Sequence, residues 1–90
     1  MKADHKTVSR LVSNARGQLD AVLRMIEEDR YCMDISTQLL AAQSIIKRAN
    51  REVLKGHVEH CIREAMESGD EEAAEQKVQE LLEYVEKMTK

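Results

Sequence analysis

Apolar residues recur along the chain at intervals of alternately four and three positions, the spacing that places side chains on one face of an α-helix. Three such stripes are present. The first contains Val8, Val12, Ala15, Leu19, Val22 and Ile26. The second contains Ile35, Leu39, Ala42, Ile46, Ala49 and Val53, and its helical pattern continues to Met66. The third contains Ala74, Val78, Leu81, Val85 and Met88. The pattern therefore predicts an all-α protomer of three helices with a long central helix.

Polar residues and glycines mark where these helices end. The acidic run "EEDR" at 27–30 ends the first helix, and Gly69 followed by Asp70 supplies a C-terminal glycine and an N-cap between the second and third. A central helix over 31–66 is longer than a small domain needs, which favours a coiled-coil-like partner. Gly17 interrupts the first stripe at a cost of roughly 1 kcal/mol relative to Ala, and this predicts the close approach of another helix.

The composition limits the protein to one domain over residues 1–90 with a modest core. Phe, Trp and Pro are absent, and the apolar side chains are mainly aliphatic, as in small helical chains that complete their core by oligomerising. No apolar run approaches the ~20 residues of a membrane span, and the first residues lack the apolar region of a signal peptide. We expect a cytoplasmic protein without a membrane partner and with both cysteines reduced.

Charge is distributed unevenly along the chain. Residues 1–57 carry 10 Lys and Arg against 7 Asp and Glu, whereas residues 58–90 carry 4 against 10. Basic residues gather near the N-terminus and in "KRANREVLK" at 47–55. A solvated helix face explains such clusters as readily as DNA binding does, and the pI of 5.6 lies far below the value of about 9 typical of nucleic-acid binders.

The segment "GHVEHC" places His57 and Cys61 four positions apart, and therefore on one face of a helix. Cys32 precedes His57 by 25 positions, roughly 37 Å along a continuous helix, so it cannot join them within one chain. An antiparallel copy of the same helix could bring its Cys32 to this pair. The two-fold axis would then cross near Ile45 and Ile46, and symmetry would generate two identical sites.

Two thiolates and one imidazole form a soft donor set that selects Cu(I), Zn or iron–sulfur chemistry over Mg or Ca. Structural Zn prefers four protein ligands, and His60 and Glu59 should point away from the His57–Cys61 face, so three ligands fit Cu(I) best. Buried cysteine also acts as a small hydrophobe, and a helical histidine is often ordinary. The spacing alone leaves both interpretations open.

Four segments resemble the copper-sensing operon repressor (CsoR) family: "RGQLDAVLRMIEEDRYCMDI", "ANREVL", "GHVEHC" and "SGD…ELL". The resemblance covers about residues 8–88. It implies antiparallel dimers that assemble into dimer-of-dimers tetramers and bind operator DNA without a helix-turn-helix. It further implies that Cys32 of one protomer binds Cu(I) with His57 and Cys61 of the other. On this resemblance, Cu(I) binding releases the DNA and derepresses copper-resistance genes, and Tyr31 and Glu80 act around the His57 ring.

The DNA contacts implied by the resemblance carry over less directly. Arg48 matches the arginine of the family's "RAN" segment, whereas Leu11 and Asn14 stand where members usually have Arg or Lys. Arg10 and Arg16 lie close by and could substitute. The predicted DNA-binding residues are Arg10, Arg16, Lys47, Arg48 and Arg51.

Other members of the family and other classes of protein remain as alternatives. Nickel and cobalt sensors have a histidine in place of Cys61, and His5 is out of register with their N-terminal ligand. Formaldehyde sensors lack the second cysteine. Persulfide sensors keep both cysteines but lack the histidine, which makes a thiol-responsive repressor using Cys32 and Cys61 the main alternative. A copper carrier without a DNA role comes next, and an enzyme is the poorest interpretation because no phosphate loop or acid pair is present.

Overall fold

The structure is a computed structural model that describes residues 1–88. It contains α1 (His5–Glu27), α2 (Cys32–Gly56), a π-helical turn (His57–Ile62), α3 (Arg63–Glu67) and α4 (Glu71–Met88). The all-α prediction is confirmed. The predicted central helix runs through α2, the π-helical turn and α3, and ends at Glu67, one residue beyond the apolar pattern.

The breaks between helices lie where the sequence predicted them. α1 ends at Glu27, and the turn that follows contains Asp29 in the left-handed region, with φ of 53°. Gly69 adopts φ of 78° after α3, a conformation that a side chain would strain. The Asp70 carboxylate accepts a hydrogen bond of 3.1 Å from the Ala73 amide, so Asp70 is the predicted N-cap of α4.

The core lies between α1 and α2, which form a helical hairpin. Its buried side chains are small or medium in size, so the two helices approach closely. They are Leu11, Ala15 and Val22 of α1 and Ala42 and Ala49 of α2. Within residues 1–88, no helix has both the length and the apolar character needed to cross a membrane.

The protomer is a single layer of helices. Its dimensions are 58 × 29 × 13 Å, and its radius of gyration is 17.8 Å, whereas a compact domain of this length has a radius of about 12 Å. The accessible surface of 7126 Å² compares with about 5,400 Å² for a compact monomer of this mass. Several predicted core positions stay exposed, among them Val12 (54%), Leu19 (41%) and Ile46 (49%). A second layer must therefore come from another chain if these positions are to be buried.

The two helical glycines have opposite environments. A Cβ atom at Gly17 would meet nothing within 4 Å, so the predicted close approach of a helix at Gly17 is wrong within the protomer. A Cβ atom at Gly56 would lie 2.6 Å from the Ala3 Cα and 2.7 Å from the Ala3 nitrogen. The apolar spacing does not mark Gly56, yet Gly56 is the helical glycine that another part of the chain approaches closely.

Replacing Gly17 by Ala should stabilise the protein. The change removes a helix-interior glycine where there is space for a methyl group, so the free energy of unfolding should rise by about 1 kcal/mol, which shifts Tm by roughly 4–8 °C in a domain of this size. Thermal unfolding followed by circular dichroism measures this. A decrease in Tm would contradict the open environment and would place a second molecule against Gly17.

Candidate metal centre and nucleic-acid interface

His57 and Cys61 both lie in the π-helical turn His57–Ile62. A π-helix closes i→i+5 hydrogen bonds and has more residues per turn than an α-helix, and side chains four positions apart still lie on one side of it. Both side chains are half-buried, and Cys61 is a free thiol. The turn therefore contains both an imidazole and a thiol, and their joint binding of one ligand stays a prediction.

Cys32 is the first residue of α2, where its thiol is free and exposed. The helix between Cys32 and Gly56 is unbroken, which keeps Cys32 roughly 37 Å along the axis from His57. Within residues 1–88 of one chain, no three His, Cys, Asp or Glu side chains are arranged to hold a metal ion. A site that combines both thiols with His57 would need a second copy of the chain.

Cys32 and His57 lie along one face of the central helix. Cys32, Leu39, Ile46 and Val53 follow one another at intervals of seven, which moves only about 20° around the helix per step, and His57 is four positions further on. Leu39 and Ile46 are exposed. A partner helix covering this stripe would therefore contact Cys32 at one end and the π-helical turn at the other.

His57 opens into a cavity of about 310 Å³ between α2 and α4. Glu80 and Tyr84 of α4 line the same cavity with Val53 and Leu54 of α2. The Glu80 carboxylate lies 3.7 Å from the Lys77 ammonium. The structure thus brings Glu80 to the same cavity as His57, whereas Tyr31 is exposed at the opposite end of α2.

The other histidines lie apart from His57. His60 lines a separate groove with Lys2, Ala3 and Gly56, and the His5 Nε2 atom is 3.3 Å from the Met1 carbonyl oxygen. Neither lines the cavity of His57 and Glu80. The expectation that His60 points away from the His57–Cys61 face agrees with this arrangement.

Three of the predicted DNA-binding residues line one groove. Arg10 of α1 and Arg48 and Arg51 of α2 line a depression of about 180 Å³ together with Leu11 and Glu52. Leu11 is only 3% exposed, so position 11 belongs to the core of this chain. Within residues 1–88, no ion pair engages the three arginines, and their charge is available to a phosphate backbone.

The two remaining basic candidates lie outside this groove. Lys47 shares an adjacent cavity with Arg51 and Asn50. Arg16 is exposed, but six positions along α1 turn it about 120° away from Arg10. A DNA-binding role for Arg16 stays a prediction that the geometry of one protomer does not favour.

Comparison with known proteins extends these observations. Residues 4–87 match the family described as "Metal-sensitive transcriptional repressor". The copper-sensing transcriptional repressor CsoR of Mycobacterium ulcerans is 43% identical over 74 residues, covering 82% of this chain and 61% of that protein. The CsoR of Bacillus subtilis is 36% identical over 83 residues, covering 92% of this chain and 79% of that protein. The chain therefore spans about three fifths of the length of the mycobacterial relative.

A solved structure agrees with the sequence matches. The crystal structure of the copper-sensing repressor CsoR with Cu(I) from Geobacillus thermodenitrificans superposes with a TM-score of 0.86 at 28% identity, covering 94% of this chain and 85% of that one. The family is one of transcriptional repressors rather than enzymes, and the resemblance drawn from the four sequence segments is confirmed. The chain belongs to the metal-sensitive transcriptional repressor family and is similar to its copper-sensing CsoR members.

Proposed function

We propose that this protein is a cytoplasmic, Cu(I)-responsive transcriptional repressor. Metal-free protein binds operator DNA, and Cu(I) binding releases it and derepresses copper-resistance genes. One observation carries the proposal: Cys32 and the His57–Cys61 turn lie at the two ends of one exposed stripe of α2, in a chain whose relatives are named copper-sensing repressors. Cys32 of one protomer and His57 and Cys61 of its partner supply the soft donors that suit Cu(I).

The assembly that this site needs is an antiparallel dimer, and pairs of dimers form the tetramer. The single helical layer, 13 Å thick, and the exposed side chains Leu39 and Ile46 support pairing through α2. An axis near Ile45 and Ile46 brings each Cys32 to the partner's π-helical turn. Two equivalent sites result from this symmetry.

The response starts at the His57 ring. When bound, Cu(I) would supply a soft cation held by the imidazole of His57 and the thiolates of Cys61 and the other protomer's Cys32. A ligating histidine commonly directs its second ring nitrogen to a carboxylate or carbonyl, and Glu80 lines the cavity that His57 enters. A change in the orientation of the His57 ring is therefore transmitted first to α4. Tyr31, adjacent to Cys32, would approach the same ring from the partner protomer.

DNA binding depends on the groove of Arg10, Arg48 and Arg51, with Lys47 beside it. These side chains would contact phosphates, so their contribution to affinity should fall steeply with salt and vary little with base sequence. Pairing of protomers repeats the groove and extends the basic surface beyond one chain.

The proposal is tested by measuring both ligands on one sample. Reduced protein is titrated anaerobically with Cu(I) against a strong chelator, and its affinity for the promoter region of its own gene is measured with and without Cu(I). We expect one Cu(I) per chain and a loss of DNA affinity of about 5–150-fold, the usual range of allosteric coupling. Failure to compete with the chelator would contradict the copper assignment. Release of DNA by a persulfide donor instead would indicate the thiol-responsive alternative, and tight Cu(I) binding without DNA binding would indicate a carrier.

A further inference from the structure

Asn50 of α2 and Tyr84 of α4 form a hydrogen-bonded pair across 34 positions of the sequence. The Asn50 Nδ2 atom donates to the Tyr84 hydroxyl oxygen at 3.1 Å, and the Tyr84 hydroxyl lies 3.5 Å from the Asn50 Oδ1 atom. The other side-chain hydrogen bonds within residues 1–88 join groups no more than four positions apart. This pair therefore links two helices, whereas the others are local.

The link spans a gap between two helices that are not packed closely. Within residues 1–88, no Cα atoms of α2 and α4 come within 8 Å of each other, and α4 contributes no buried side chain. Within the protomer, α4 packs against α3 and the π-helical turn but not against α2. The hydrogen bond between Asn50 and Tyr84 is therefore a direct connection between α2 and α4.

The pair lies between the His57 cavity and the basic groove. Tyr84 is four positions after Glu80, on the same face of α4, and both line the cavity that His57 enters. Asn50 is seven positions before His57 on α2, and it shares a second cavity with Lys47 and Arg51. One end of the link thus faces the candidate metal turn, and the other lies beside a residue of the DNA-binding groove.

We propose that Asn50 and Tyr84 are positioning residues that couple Cu(I) binding to DNA release. Reorientation of His57 changes the cavity that it lines with Glu80, α4 shifts, and the link transmits the shift to the segment of α2 that carries Arg48 and Arg51. Neither residue is one of the candidate metal ligands or one of the arginines of the DNA-binding groove. This inference rests on the proposed function, because it assigns the path of regulation within the same repressor.

The Tyr84→Phe variant tests the link by removing one hydroxyl group. Cu(I) affinity and metal-free DNA affinity should each stay within about threefold of the native values. The factor by which Cu(I) weakens DNA binding should fall at least about fivefold, toward the lower end of the range typical of allosteric coupling. The Thr37→Val variant is the matched control, because it removes a hydroxyl whose hydrogen bond, to the Met33 carbonyl at 2.7 Å, stays within α2. Its coupling factor should equal that of the native protein.

A double-mutant cycle separates positioning from general stability. Asn50→Leu and Tyr84→Phe should each lower the coupling factor, and the double variant should lower it no further, because both changes remove one interaction. Additive losses, or a parallel loss of thermal stability and of both affinities, would overturn the positioning role.

The native protein shows which proposal has failed. If Cu(I) leaves native DNA binding unchanged, the proposed function itself is wrong. If Cu(I) releases DNA from the native protein and from Tyr84→Phe by the same factor, the repressor function stands and the link is overturned. A loss of coupling in Tyr84→Phe with both affinities retained supports the link.

Discussion

The His57→Ala variant should bind Cu(I) at least about 100-fold more weakly than the native protein. Loss of an outer partner of a metal ligand typically costs 10–100-fold in affinity, and loss of the ligand itself should exceed that range. The variant should still bind DNA, because His57 lies outside the groove of Arg10, Arg48 and Arg51. The measurement is competition with a Cu(I) chelator, followed by DNA binding with and without Cu(I).

His60→Ala is the matched control for this variant. His60 lies in the same π-helical turn but opens into a different groove, away from the cavity of His57 and Glu80. Its Cu(I) affinity should therefore be unchanged. Equal losses in the two variants would contradict the assignment of His57 as the ligand.

The Arg48→Ala variant should lose DNA affinity while retaining Cu(I) binding. Removing one cation that neutralises a phosphate lowers the slope of log affinity against log salt by about 0.9, so the slope should become smaller by about 0.9 for each copy of Arg48 in the assembly that contacts a phosphate. The decrease in affinity should be similar for operator and unrelated DNA, because phosphate contacts carry little sequence information. Fluorescence anisotropy over a range of salt concentrations measures affinity and slope together.

Arg63→Ala provides the same change of charge outside the groove. Arg63 begins α3 and does not line the depression that contains Arg48. We expect a salt slope within experimental error of the native value. If Arg63→Ala weakens binding as much as Arg48→Ala, net charge rather than this groove governs DNA binding.

Most of the fold follows from local patterns in the sequence. The alternation of four- and three-residue steps predicted all three helices, and Gly69 with Asp70 marked the break before α4. Which apolar residues are buried in the protomer did not follow from the stripe, because Val12, Leu19 and Ile46 lie on it and stay exposed. Periodicity identifies an apolar face, but it does not tell whether the same chain or another covers it.

The candidate site was predictable in part. The i, i+4 spacing of His57 and Cys61 predicted a shared face, and the length of the helix predicted that Cys32 lies too far from them to join them within one chain, which the unbroken α2 confirms. The π-helical turn was not predicted, since no residue type marks an i→i+5 turn. The close approach of Gly56 to Ala3 and the Asn50–Tyr84 link depend on tertiary packing, which neither spacing nor propensity reveals.

The geometry of the site also explains why a regulatory metal would act by joining two protomers. A thiol at the start of α2 and a pair of donors in the π-helical turn cannot meet in one chain. If they bind one ion, that ion connects two protomers and can change how their helices are arranged. Coupling to DNA then needs only a modest shift of a basic groove that is built from the same α2 helix.

The most direct test of a shared site is to mix two inactive variants. Cys32→Ser lacks one donor, and the double variant His57→Ala/Cys61→Ser lacks the other two, so neither should bind Cu(I) tightly alone. After unfolding and refolding together at equal concentration, half of the dimers should be mixed, and each mixed dimer should contain one complete site. We expect tight binding of one Cu(I) per four chains in the chelator competition. If the mixture binds no more Cu(I) than the separate variants, the metal site does not form between two protomers.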